Sequence, residues 1–179
     1  MRVLSVNTET IMAKMEPDKL IEWYEACGAE LRLYALQWHS YEMAEDLVQD
    51  AFIKLLKQRH CPDQVRPWLF RVVRNSSISA ARHLQKRKKI NKTLSQPHGL
   101  WFESNAEERF DAQHAQAILE TLPSERREIV VLRIWGQLSF RQIAEVIEKS
   151  IPWVFREYKS ALGMIKSRLE SSSCHTKQA

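Results

Sequence analysis

Apolar residues along this chain recur at three- and four-residue intervals in one stretch after another and almost never alternate with polar ones, so the pattern predicts helices. Residues 18–39 place Leu20, Ile21, Trp23, Tyr24, Cys27, Leu31, Tyr34, Ala35 and Trp38 in this rhythm, with Asp18 after Pro17 as the expected cap. Residues 41–58 put Ala44, Leu47, Val48, Ala51, Phe52, Leu55 and Leu56 on one broad apolar face. Pro62 and Asp63 mark a short loop, and Pro67 suits the first turn of a third helix reaching to about Leu84. Trp68, Leu69, Phe70, Val72, Val73 and Ile78 interleave its polar residues.

Residues 86–104 mix charge with Ser, Pro, Gly and Asn, the composition of a flexible connection, although the first of them extend the helical pattern. Helical spacing resumes over 107–122 through Phe110, Ala115, Ile118, Leu119 and Leu122, and Pro123 interrupts it. The next helix carries Ile129, Val130, Leu132 and Ile134 and stops at Gly136. Ser139 with Gln142 three residues later is a capping-box pattern, opening a helix whose inner face is Ile143, Ala144 and Ile147. After a tight turn over 148–150, a last helix turns Val154, Tyr158, Ala161, Ile165 and Leu169 inward, and 171–179 reads as a frayed tail. Helix, tight turn, second amphipathic helix is the order of a helix-turn-helix.

The fold class expected is therefore all-α: two small helical domains joined by a flexible linker, the C-terminal one a helix-turn-helix. The divisions are an N-terminal extension over 1–17, a first domain over 18–89, a linker over 90–106, a second domain over 107–170 and the tail. Composition agrees, since only 4 Gly and 6 Pro in 179 residues leave few turn formers. At 44% hydrophobic the chain can bury one ordinary core or two small ones. Its apolar runs are far shorter than a bilayer-spanning helix, and the first 15 residues lack a signal core. The expectation is a soluble, cytoplasmic protein with no membrane insertion. Cys27, Cys61 and Cys174 are odd in number and form no CxxC, so neither a disulfide framework nor a zinc site is expected. No metal site, cofactor or catalytic residue is assigned.

Charge changes the picture more. Residues 64–102 contain no Asp or Glu and nine Lys/Arg: Arg66, Arg71, Arg74, Arg82, Lys86, Arg87, Lys88, Lys89 and Lys92. Removing those nine from the net +5 leaves −4 for the other 140 residues, so the positive charge is gathered in one block. Such a block suits a polyanion, although a solvated face has the same composition. On the third helix Arg71, Arg74, Asn75, Ile78 and Arg82 share a stripe that Lys86 continues, a face able to track phosphates, with Asn75 able to read a base edge. On the second helix Asp46, Gln49, Asp50 and Ile53 share another stripe, acidic with one apolar end. Solvation, protein binding and metal binding are all open for that stripe, but no third carboxylate or His accompanies the acidic pair.

At this point the residues carry a resemblance. Ala44 through Leu55, AEDLVQDAFIKL, and then Pro67 through Asn75, PWLFRVVRN, resemble region two of bacterial RNA polymerase sigma factors of the extracytoplasmic-function type. Leu122-Pro123, Arg126, Leu132, Arg133, Leu138 through Ala144, then Val154 and Ala161, are similar to that family's region four. Two motif sets in the right order are more specific than either alone.

The resemblance implies a non-enzymatic initiation subunit that recruits core polymerase and recognises and melts promoter DNA. Asp46, Gln49, Asp50 and Ile53 would dock on the clamp helices of the beta-prime subunit, and the second domain on the beta flap. Arg71, Arg74, Asn75, Arg82 and Lys86 would engage the minus-ten element, where a flipped base is held in a pocket beside Trp68, Leu69 and Val72. Arg133, Arg156 and Lys159 would contact the minus-thirty-five element. The family also implies an anti-sigma factor as partner. The chain departs from the family's pattern at the recognition helix: Glu148 and Pro152 replace glycines, Trp153 and Phe155 are bulky, and Glu157 stands where relatives often have Arg. A dimeric helix-turn-helix regulator is the alternative, but it leaves the acidic stripe and the basic third helix unexplained.

Overall fold

The computed structural model describes residues 16–88 and 109–175, and all regular elements among them are helices. They are α1 (Pro17–Leu36), α2 (Tyr41–Leu56), α3 (Val65–Lys88), α4 (Arg109–Glu120), α5 (Ser124–Ile134), α6 (Phe140–Ile147) and α7 (Ile151–His175). The expected linker over 90–106 and most of the expected N-terminal extension lie outside the described residues.

Local chemistry explains most boundaries. α1 opens with Glu16 at the cap and Pro17 in the first turn, and no side chain caps it, so Asp18 lies inside the helix instead of before it. Proline suits that place because its missing N–H would have been unpaired there anyway. α6 has the full capping box: the Ser139 hydroxyl accepts from the Gln142 N–H at 3.2 Å, and the Ser139 N–H donates to Gln142 Oε1 at 2.9 Å. α5 stops where a Cβ on Gly136 would meet the Leu132 carbonyl oxygen at 2.6 Å, so no other residue fits without backbone movement. Glu148 closes α6 in the left-handed region at φ 58°, ψ 47°, a conformation glycine adopts without strain. α7 continues past Leu169 to His175, beyond the tail expected from 171, because nothing after Gly163 breaks a helix.

Helices α1, α2 and α3 pack around Leu31, Tyr34, Val48, Leu55, Leu69, Phe70 and Val73, all fully buried. Helices α5, α6 and α7 enclose Ile129, Leu132, Leu138, Ile143, Val154 and Ala161. The two blocks do not stand apart: α6 lies along α3 and α1 meets α5, so the buried cluster runs continuously through both. Ile21, Tyr24, Leu56, Ile134 and Leu169, expected to face inward, are exposed instead. Val131, not counted among the core positions from spacing alone, is buried.

Candidate nucleic-acid and protein interfaces

The α2 stripe is presented to solvent as its spacing predicts. Asp46, Gln49, Asp50 and Ile53 are all exposed, while Ala44, Leu47, Val48, Ala51, Phe52 and Leu55 are buried behind them. Ile53 is 48% exposed, and Leu56 beside it extends the apolar end. Behind the stripe sits Glu45, which spacing did not single out. It accepts from Tyr24 Oη at 3.1 Å and Gln49 Nε2 at 3.3 Å, and pairs with Arg32 Nε at 3.2 Å. Lys54 sits at 2.7 Å from Asp50 and also donates to the Ser76 hydroxyl of α3 at 3.1 Å, tying the two helices. An exposed pair of this kind contributes about 0–1 kcal/mol, so a partner can displace it readily.

On α3 the basic stripe divides. Arg71, Asn75 and Arg82 are exposed, whereas Arg74 turns toward the second block; Lys86 lies in the last turns, where side chains fall outside the described residues. A cleft of ≈ 190 Å³ opens where the α2–α3 loop meets α6. Pro62, Asp63, Gln64, Pro67, Trp68 and Arg71 line it from the first block, and Glu145 and Val146 of α6 close it from the second. Trp68 packs against the core and also lines this cleft.

The junction between the blocks is polar at its centre. Glu128 of α5 is buried, accepting from Tyr34 Oη at 2.6 Å and from Arg74 Nε at 2.7 Å. Burial, together with the Glu128 carboxylate, holds the Tyr34 phenol well above its ordinary value, Arg74 opposing. Burial, the largest single influence on Arg74, pulls it down, but the Glu128 carboxylate and hydrogen bond, with Tyr34 and Glu148 adding, together raise it. Nearby, Arg66 Nε donates to the Gly136 carbonyl at 2.8 Å while Nη1 reaches the Ala26 carbonyl at 3.3 Å. The capping glutamine of α6 works twice, its Nε2 donating to Gln64 Oε1 at 2.8 Å. Among the described side chains of the basic block, Arg66 and Arg74 are thus engaged by the second block.

In that second block Arg133 bridges locally: Nη1 donates to the Leu138 carbonyl at 2.8 Å, and the guanidinium lies 5.0 Å from the Phe140 ring. Arg156 and Lys159 are exposed on α7. Glu157 is not presented outward, because Arg126 Nε holds it at 2.8 Å.

Family comparison matches residues 23–87 to Sigma-70 region 2 and residues 113–162 to Sigma-70, region 4. The chain is 27% identical over 135 residues to the ECF RNA polymerase sigma factor SigM of Bacillus subtilis (strain 168), covering 72% of this chain and 78% of that protein. Its fold is similar to that of the sigma factor RpoE in complex with the anti-sigma factor NepR from Bartonella quintana, at TM-score 0.72 and 19% identity over 86% of this chain and 98% of that one. It is also similar to CnrH in complex with the cytosolic domain of CnrY, at TM-score 0.59 and 21% identity over 87% and 90% of the two chains.

Proposed function

Since this chain belongs to the sigma-70 family as an extracytoplasmic-function sigma factor, binding core RNA polymerase and directing promoter-specific initiation without catalysing a reaction, we propose a division of that work among its surfaces. The exposed stripe of Asp46, Gln49, Asp50 and Ile53 is the polymerase handle, docking on the clamp helices of the beta-prime subunit. Arg71, Arg74, Asn75, Arg82 and Lys86 hold the minus-ten element, with the cleft beside Trp68 accepting a flipped base. Arg156 and Lys159 contact the minus-thirty-five element, and Arg133 supports them by fixing the turn before α6. Residues 18–89 and 107–170 are the working domains, an assignment supported by the two family matches falling inside them.

The observation that carries this assignment is the pairing of an exposed acidic stripe on α2 with a basic stripe on α3, because a DNA-binding domain alone has no use for the former. We further infer an anti-sigma factor as partner, supported by the solved relative RpoE in complex with NepR. We infer the cytoplasm as its place of action from a role on polymerase and chromosome; among the described residues no helix is long and apolar enough to cross a membrane. Run-off transcription with bacterial core polymerase tests the assignment. A transcript that requires both this protein and a cognate promoter is expected, and failure to bind core polymerase at all would overturn it.

A further inference from the structure

The recognition helix of a helix-turn-helix reads bases with its N-terminal residues, and in this chain most of the exposed residues there are apolar. Ile151 is 46% exposed and Phe155 45% exposed, and Pro152 beside them is exposed as well. One helical turn separates Ile151 from Phe155, so the two form a continuous ridge along the leading edge of α7. The Phe155 ring is held in place: it meets Phe140 edge-on at 5.3 Å and 90°, and Lys159 Nζ lies 5.4 Å from its centroid. The polar groups at this end are turned to other uses, Ser150 Oγ accepting from the Trp153 N–H at 3.4 Å and Lys149 lying 5.3 Å from the Trp153 ring. Exposed cations, Lys149, Arg156 and Lys159, flank the ridge.

An apolar ridge bordered by cations is complementary to one surface in particular, a major groove floored by thymine methyl groups between two phosphate backbones. Thymine is the base that presents a C5-methyl there, and a phenyl ring is among the side chains that recognise it by contact. We propose that Phe155 and Ile151 are specificity-determining residues that read thymine methyls in the minus-thirty-five element, with Arg156 and Lys159 gripping the flanking phosphates. This rests on the assignment of α7 as the minus-thirty-five reader.

The test uses the full chain with bacterial core polymerase and a promoter library randomised across the minus-thirty-five region. Thymine should be enriched at neighbouring positions. Resynthesising a selected promoter with deoxyuridine at those positions removes only the methyls, and complex formation should fall roughly fourfold for each methyl that was buried. In F155A the thymine and deoxyuridine templates should become equivalent, while F155Y should keep the preference. Should F155A fold poorly by circular dichroism, I151A carries the same comparison. Equal complex formation on thymine and deoxyuridine templates with the unaltered protein overturns the proposal and leaves the sigma-factor assignment standing. No complex on any member of the library overturns the parent assignment, and this one with it.

Discussion

Replacing Glu128 by glutamine keeps the shape of the side chain at the junction but removes the charge that Tyr34 and Arg74 share. The pair is not a surface ion pair, since the Arg74 and Glu128 side chains are only 19% and 9% exposed. Hydrogen bonds to charged groups contribute about 1.5–3 kcal/mol, and leaving one partner of a buried pair uncompensated costs about 3–5 kcal/mol. Glutamine still offers one acceptor, and Arg74 regains some water, so the expected loss is about 2–3 kcal/mol. For a chain of this size that corresponds to a fall in Tm of about 4–12 °C.

Activity should move the other way. In the proposed assignment Arg74 holds a promoter phosphate, which it cannot do while it holds Glu128, so minus-ten binding would require the junction to open. Destabilising the closed form by 2 kcal/mol raises the open fraction about thirtyfold while closed molecules remain the majority, and apparent promoter affinity follows. Scanning calorimetry on E128Q, R74M and the double variant gives the coupling energy, expected to exceed about 1 kcal/mol, and transcription at limiting promoter gives the functional sign. Additive effects of the two substitutions would refute the coupling. A lowered Tm with unchanged transcription would show that Glu128 only supports the packing of α5.

Charge reversal at Asp46 and Asp50 should weaken binding to core polymerase at least tenfold in a competition assay while leaving Tm within a degree or two, because both side chains are exposed. Alanine at Gly163 should raise stability by about 0.5–1 kcal/mol in urea unfolding, since the position is mid-helix and an added Cβ meets nothing within 4 Å. Burial pushes the Cys27 thiol up from 9.0 to about 11, with Arg66 opposing and Glu30 adding. A raised folded-state pKa means its neutral-thiol contribution is complete below pH 9 and lost as the pH climbs through about 11. Iodoacetamide mapping at pH 8 should accordingly label exposed Cys61 well before Cys27.

Helix identity was legible in the sequence because each helix has its own local period and punctuation. The capping box at Ser139 and Gln142 and the stop at Gly136 depend on residues within a few positions of one another, and both are found as expected. The acidic stripe on α2 was legible for the same reason. What spacing does not encode is which face of one block meets the other. Tyr34 and Glu128 are 94 residues apart, and Arg74 belongs by position to the same stripe as Arg71 and Asn75. A signal for Glu128 was nonetheless available: it precedes four consecutive apolar residues, Ile129 to Leu132, all buried. A helix apolar on every side in its middle is covered on every side, so an acid in that stretch must find a cation or a donor.

The junction also sets a cost on the binding of polyanions to the basic helix. Arg74 meets Glu128 directly and lies within the field of Glu148, while Arg71 lines a cleft with Glu145. Carboxylates of the second block thus face the positions proposed for phosphates along α3, and α6 closes the cleft proposed for a flipped base. Nonspecific DNA offers only the sequence-independent phosphate term, which salt weakens steeply, and must displace an intramolecular partner held at high effective concentration. On the proposed assignment polymerase docks on the exposed stripe of α2, and so would bind before the junction yields. Under the same assignment, core enzyme and a matched minus-thirty-five element together would hold the second block away from α3 and so free Arg74 from Glu128. On this assignment selectivity would come from the order of events as well as from base contacts, and removing Glu128 should erode it first at low salt, where nonspecific duplex would compete best.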